Sequence, residues 1–532
     1  MREILYVQAG TLANYIGTHF WNTQESYFTY SDDEESLVDH DISFREGETS
    51  KGDSTYCPRL ITFDRKANFG TLARTGIFSE KNDYIPDSQL WQGAISEHEY
   101  KPIEPHAYQT HLQADHNELD LSSASREPVR YWSDFNRTFY IPRTMQMLPD
   151  VPDWQNTEGD WAFGQETFER FNEETELMEG SVRLFMEECN SFQGLQWMMD
   201  TSTFGAFSHS FLIAFYDELS RAPCLSFPLM GDVVPRNANP ENTVHMRKVV
   251  NDAVCLRELG NLSLSTVPTL NPATWSPGAW NTNLRIDNGY YHTSSILSAH
   301  IESSTFPLRL KESQDSISSF SKHLNFHGSH RFSQLSGVFP VACATTPQHI
   351  SLQLYNFSSV TEDPLRVNRI LFAIYHSLNR RLQTTYHTRR DVTRGFSTSA
   401  LEAYEAWFRT QSIKEPFVIS KHTQAYPLPS SFPDIFCDES IVSDHRSRMT
   451  RIDSTKLPSM SMFTSLNTNT DTSEMFVAYA NFIQTCIDRR KTGILTGLIE
   501  TLDDMKELAN DLWTIHDGYS EYSTDELDAE ES

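Results

Sequence analysis

MREILYVQAGTLANYIGTHFW, from Met1 to Trp21, decides how the chain is read. Apolar residues crowd Ile4, Leu5 and Val7, a single Gly10 intervenes, and Leu12, Ile16 and Phe20 then recur every four residues. That order predicts a short buried strand, a tight turn and an amphipathic helix. A strand that feeds a helix through glycine is a common way to present backbone N–H groups to a phosphate. Gly10 therefore has two readings, as part of an anion site or as a turn residue only.

Working outward, the stretch Ser31 to Ser54 is acidic and polar, and is expected to be a mobile surface loop. RLITFD (Arg59 to Asp64) reads as the next buried strand, ending in a carboxylate. A His- and Pro-rich region over about 84–126 reads as a second insertion. Met178, Val182, Phe185 and Cys189 keep one helical face, and another helix is expected from Ser208 to Ser220. Between them FQGLQWMMDTSTFGAF reads as a strand ending in small and polar residues. The recurring order of strand, turn and helix predicts an α/β layer with a mostly parallel sheet.

A Pro-, Trp- and Asn-rich stretch from Pro268 to Asn283 suits a boundary. The expected organisation is a first domain over 1–267, with insertions at about 31–54 and 84–126, and a second α/β domain over 285–450. GVFPVACATT and HISLQLYNFSS are read as strands of that second domain. C-terminal helices over 470–515 follow, with Phe476, Tyr479, Ile483 and Ile487 on one stripe and Ile494, Leu498, Leu502, Met505 and Leu512 on another. The residues 516–532 read as an acidic tail unable to fold alone.

The chain has 532 residues, 38% of them hydrophobic, enough to build more than one core. Its formal net charge of −29 argues against direct binding to nucleic acid or an anionic bilayer. The 7 cysteines form no CxxC pair or regular framework, which fits reduced core thiols. Neither a signal peptide nor a transmembrane stretch is expected. The motifs GxxxxGK[ST], GxSxG and HExxH do not occur. His323, His327 and His330, like His106, His111 and His116, read as polar loop histidines, so no metal site and no catalytic residue is assigned.

MREI, QAG, Asn14, Ile16-Gly17 and Phe20-Trp21 resemble the tubulin N-terminus without a gap. EECNSFQGLQ resembles the segment before tubulin's glycine-rich loop, and NDAVCLREL (Asn251 to Leu259) resembles the helix that contacts the guanine base. THFWNTQESYF (Thr18 to Phe28), DHDISFREG, YWSDF (Tyr131 to Phe135) and IPRT look like the Misato family, a tubulin-like branch. This resemblance implies a tubulin-like fold: a nucleotide-binding-type parallel sheet domain, a second α/β domain and C-terminal helices. It also implies a role in mitochondrial distribution and mitochondrial DNA inheritance. The expected location is the mitochondrion, on the cytosolic face or peripherally, with a cytoplasmic pool. Partners are expected to be proteins, and no polymer is expected.

The same resemblance points to Gly10, Thr11, Asp64, Gly205 and Asn251 as the residues that would hold GTP with magnesium if binding survives. Thr11 can donate to a phosphate, and the Asn251 amide suits a guanine, though an asparagine can also cap a helix. Against binding, STFGAFS (Ser202 to Ser208) stands where tubulins carry GGGTGSG. Only Gly205 remains there, and bulky rings obstruct the backbone approach that such a loop needs. The region expected to carry the hydrolytic acid, NLSLSTVPTLNPATWSPGAWN, holds no Asp or Glu. The preferred expectation is a non-enzymatic interaction protein; the alternative is a GTP-binding switch or weak GTPase.

Overall fold

The computed structural model describes residues 2–28, 36–48, 54–72, 103–113, 127–151, 154–220, 222–262, 264–287, 289–326, 328–342, 345–360, 385–413, 417–437, 458–489, 495 and 497–520. The opening residues form strand β1 (Glu3–Ala9) and helix α1 (Thr11–Glu25), joined at Gly10. β1 lies inside a parallel sheet with β2 (Leu60–Arg65), β3 (Met145–Leu148), β4 (Phe192–Asp200), β5 (Cys224–Leu229) and β6 (Ser265–Thr266). The spatial order is β3-β2-β1-β4-β5-β6, with Tyr6 opposite Leu60 and Leu5 opposite Leu195.

Every residue of β1 is buried, because helices cover both faces of the sheet. Alternation divides its side chains between two cores. Leu5, Val7 and Ala9 join a cluster with α2 (Trp161–Thr175), α3 (Thr201–Glu218) and α4 (Thr243–Asn261). Ile4 and Tyr6 point the other way, into a cluster with Ile16, Phe20 and Trp21 of α1 and Ile296 and Leu297 of α5 (Tyr290–Thr305).

After α6 (Ile317–Leu324) comes a second, mixed sheet. It holds β7 (Gln334–Val338), β8 (Tyr355–Asn356), β9 (Thr385–Arg394), β10 (Ser412–Ile413), β11 (Val418–Thr423) and β12 (Met462–Asn469). Their order is β8-β7-β12-β9-β10, with β11 also paired to β9. The sheet thus takes a strand from beyond residue 450. The chain closes with α7 (Glu474–Asp488) and α8 (Leu502–Ser520).

Several local expectations change. Within the acidic insertion, Phe44–Glu48 pairs antiparallel with Ser54–Pro58, and Ile42 and Phe44 are buried, so apolar residues anchor it to the core. HISLQ is helical (Pro347–Gln353), started by the Thr346 side chain accepting from the His349 N–H, and only Tyr355–Asn356 is strand. The last stripe is interrupted by Gly497 at φ 82°, and α8 continues to Ser520, through residues expected to be tail. Ile494 and residues 521–532 lie outside the described residues.

α5 is polar in sequence yet buried from Thr293 to Thr305. Several of its hydroxyls return to the helix's own carbonyls, as in Ser295 to His292 (2.7 Å) and Thr305 to Ile301 (2.8 Å). Glu302, fully buried on this helix, gathers distant elements. Its carboxylate accepts from Gln24 (2.9 Å) and Tyr27 (3.1 Å) near the end of α1, from Arg309 (3.2 Å) and from Arg394 of β9 (3.0 Å). Removing such a carboxylate leaves two buried guanidiniums short of their counter-charge. Glu302→Ala is therefore expected to lower stability by about 3–5 kcal/mol. Urea denaturation checks this: a midpoint equal to wild type would contradict the pairing.

Candidate functional site

Ligands of open α/β sheets sit at the carboxyl ends of the strands. Here that edge is crossed by Gly10, after β1, and Asp200, which ends β4. Gly10 has φ 110° and offers α1 no capping side chain. The cap comes from Asp200: its Oδ2 accepts from the Leu12 N–H (2.9 Å) and its Oδ1 from the Ala13 N–H (2.8 Å). By position Asp200 is also the N-cap of α3, yet its carboxylate makes no cap bond there. A Cβ on Gly10 would come within 2.5 Å of that carboxylate, so glycine is required by the chain's own aspartate. Burial pushes the Asp200 carboxyl up to about 7, against the two amides, which pull it down.

Thr11 and Asp64 face each other beside this cap. The Thr11 hydroxyl lies 3.4 Å from Asp64 Oδ1 and accepts from the Asn68 amide (3.0 Å). Asp64 is buried and accepts from Asn68 (2.7 Å), Asn14 (3.1 Å) and the Arg65 N–H (2.8 Å). Burial raises its pKa, and these bonds oppose the rise. The pair thus knits β2 to α1, with the donors and acceptors engaged inside the protein.

STFGAFS is not a loop. α3 begins at Thr201, seven residues before the expected start at Ser208, and contains the whole stretch. Phe204, Phe207, Phe211 and Phe215 recur at helical spacing and are all buried. Gly205 sits inside this helix; a Cβ there would meet Cys255 Sγ at 3.6 Å and Trp161 at 3.7 Å, ordinary packing distances. Asn251 lies in the middle of α4, which Asn242 caps instead. Its amide donates to the Thr201 carbonyl (3.0 Å). The next residue, Asp252, is fully buried and accepts from Thr201 (2.6 Å), the Gly231 N–H (2.9 Å) and Tyr479 (3.3 Å). Burial pushes it up to about 7.

The edge therefore brings Gly10, Thr11 and Asp64 together on one side and Gly205 and Asn251 on the other. Between Asp160, Thr201, Ser202, Gly205 and Asn251 the free space is about 10 Å³, room for one water and not for a nucleotide. With an aspartate on the α1 amides and a helix in place of a phosphate loop, these residues do not fit GTP. Among the described residues no group of three or more His, Cys, Asp and Glu side chains is arranged to hold a metal. Asp200 and Asp252 escaped the sequence reading; the only local signal was the carboxylate that ends WMMD, at the start of a helix.

Two of the histidines expected in loops, His111 and His323, are helical. Burial brings His323 of α6 down to about 4, and His330 stacks on Tyr519 with ring centres 4.6 Å apart. The His106 ring accepts from the Tyr108 N–H (3.2 Å), next to His111 on the helix Ala107–Gln113. His116 and His327 lie outside the described residues. THFWNTQESYF, DHDISFREG, YWSDF and IPRT are packed together by polar contacts. Asn22 donates to the Phe135 carbonyl (2.8 Å), and Glu188 pairs with Arg45 (3.0 Å) and with Arg143.

Residues 2–114 match the Misato Segment II tubulin-like domain, and residues 121–310 match a Tubulin domain. The chain is 30% identical over 482 residues to Protein dml-1 of Neurospora crassa, covering 83% of this chain and 87% of that one. It is 33% identical over 321 residues to Protein dml1 of Aspergillus niger (59% and 63%). Protein misato of Drosophila melanogaster is 30% identical over 361 residues (60% and 62%).

A glycine that shapes a phosphate loop resists substitution, whereas one inside a helix with ordinary neighbours does not. Gly205→Ala is expected to preserve the fold and raise stability by up to about 1 kcal/mol, the helix propensity difference. A fall in melting temperature of several degrees would contradict the helical packing of this segment.

Proposed function

This chain belongs to the Misato family of tubulin-like proteins, and on that premise we propose that it is an interaction protein without GTPase activity. It acts in mitochondrial partitioning, distribution and morphology and in the inheritance of mitochondrial DNA, at the cytosolic face of the organelle with a cytoplasmic pool. It works as a scaffold for protein partners and forms no polymer. The observation that carries the non-enzymatic reading is α3, which fills the place of the phosphate loop and leaves about 10 Å³ beside Gly205 and Asn251. The mitochondrial reading rests on the family resemblance of the segments around Thr18–Phe28 and Tyr131–Phe135. Among the described residues no helix is long and apolar enough to cross a membrane. On this reading a protein partner attaches it to the organelle.

The competing reading is a GTP-binding switch through Gly10, Thr11, Gly205 and Asn251, and thermal unfolding separates the two. A nucleotide at 100 times its dissociation constant adds about 2.7 kcal/mol to stability. The melting temperature is expected to stay flat as GTP and magnesium are raised to millimolar levels. A rise that Asn251→Ala abolishes would establish the switch instead. In cells, depletion is expected to disturb mitochondrial distribution and to lose mitochondrial DNA. Protease added to intact mitochondria is expected to digest the bound protein; full protection together with normal mitochondria would refute the assignment.

A further inference from the structure

The clearest departure from an anion-binding strand–helix turn is the side chain that already occupies it. We infer that Asp200 is the chain's own occupant of the anion-binding end of α1, standing where a phosphate would lie and excluding one. The inference rests on the reading that the domain works without a nucleotide, and adds what took the nucleotide's place.

The geometry is that of a bound anion. Two first-turn amides of a 15-residue helix, those of Leu12 and Ala13, each donate to a different oxygen of one carboxylate at 2.9 and 2.8 Å. These are the groups a helix N-terminus offers to phosphate. Gly10, whose φ of 110° opens the approach in such a turn, has its open side filled by Asp200. The partners are 188 residues apart in sequence, so the contact also ties β4 to α1 across the sheet edge.

The surroundings reinforce exclusion. Asp64 lies on the β2 side, its carboxylate already accepting from Asn14, Asn68 and the Arg65 N–H. On the α5 side stands Tyr290, within electrostatic reach of Asp200, Asp232 and Glu158. Of the cations here, Lys248 is held by Glu158 at 3.2 Å and Asp232 at 2.8 Å, and Arg65, beside Asp64, lies over the Trp154 ring. An incoming phosphate would meet Asp200 and Asp64 with two carboxylates already neutralising the lysine, and like charges in a half-buried site repel strongly.

The test compares the full-length wild type, Asp200→Asn and Asp200→Ala at about pH 8, where the native carboxylate is largely ionised. Each is melted over a range of inorganic phosphate, with sodium chloride at matched ionic strength as reference. Wild type and Asp200→Asn, in both of which a side chain still fills the place, are expected to show no phosphate-specific shift. Asp200→Ala is expected to melt lower in chloride and to gain a saturable, phosphate-specific rise of several degrees. If this variant folds only with phosphate, that is the same result in a stronger form. The inference is overturned if Asp200→Ala responds to phosphate no more than to chloride, or fails to fold in both. It is equally overturned if phosphate alone stabilises the wild type. Stabilisation of the wild type by GTP with magnesium sinks the nucleotide-free reading itself; a flat wild type beside a flat Asp200→Ala sinks only the present inference.

Discussion

Helix α1 has no solvent face, and that constraint organises the molecule. Every residue from Leu12 to Gln24 is buried, including Asn14, Thr18, His19, Asn22, Thr23 and Gln24. A buried polar group without a partner costs more than most single contacts return, so each needs a bond. Asn14 takes the Phe63 carbonyl (3.0 Å), and Thr18 returns to the Asn14 carbonyl (2.8 Å). His19 meets the Tyr291 carbonyl (3.0 Å), and burial brings its pKa down to about 3, so it stays neutral. Thr23 meets Tyr426 (2.8 Å), and Gln24 meets Glu302. The helix is pinned by a carboxylate at each end, Asp200 on its first amides and Glu302 near its last turn. It thereby fixes the first sheet against the second.

The same logic explains the carboxyl edge of the first sheet. Asp64, Asp200 and Asp252 all lie at this edge, and burial raises the pKa of each. Ionised carboxylates in such places are costly unless donors surround them. Here the donors are backbone N–H groups, two asparagine amides, two threonine hydroxyls and one tyrosine hydroxyl, all from the chain. An edge that tubulin-like folds can turn toward an anionic ligand is instead satisfied internally.

The parts of the fold that were legible in the sequence depend on short-range pattern. β1 and α1 follow from the apolar run before Gly10 and the four-residue spacing after it, and the stripe of Phe476, Tyr479 and Ile483 marks α7 correctly. The start of α3 is harder to read: Phe204, Phe207, Phe211 and Phe215 carry a helical period, but likeness to a glycine-rich loop points the other way over the same residues. The acidic insertion was read by average composition, which hides Ile42 and Phe44. Asp200 and Glu302 were invisible for a different reason. Their partners lie on elements remote in sequence, and no local spacing announces a bond between Asp200 and Leu12 or between Glu302 and Arg394.

This internal satisfaction changes what regulation of the molecule can involve. In a fold whose phosphate loop waits for a ligand, order at the sheet edge varies with the nucleotide, and hydrolysis can shift conformation. Here α3 closes over the edge with four phenylalanines in the core, and the α1 amides are already bonded. On the non-enzymatic reading, no differential contact is left among the described residues of this edge for a γ-phosphate, and without one a ligand shifts no equilibrium. On the proposed reading, control passes to surfaces that partners can reach, and the buried edge serves to hold those surfaces in a fixed relation.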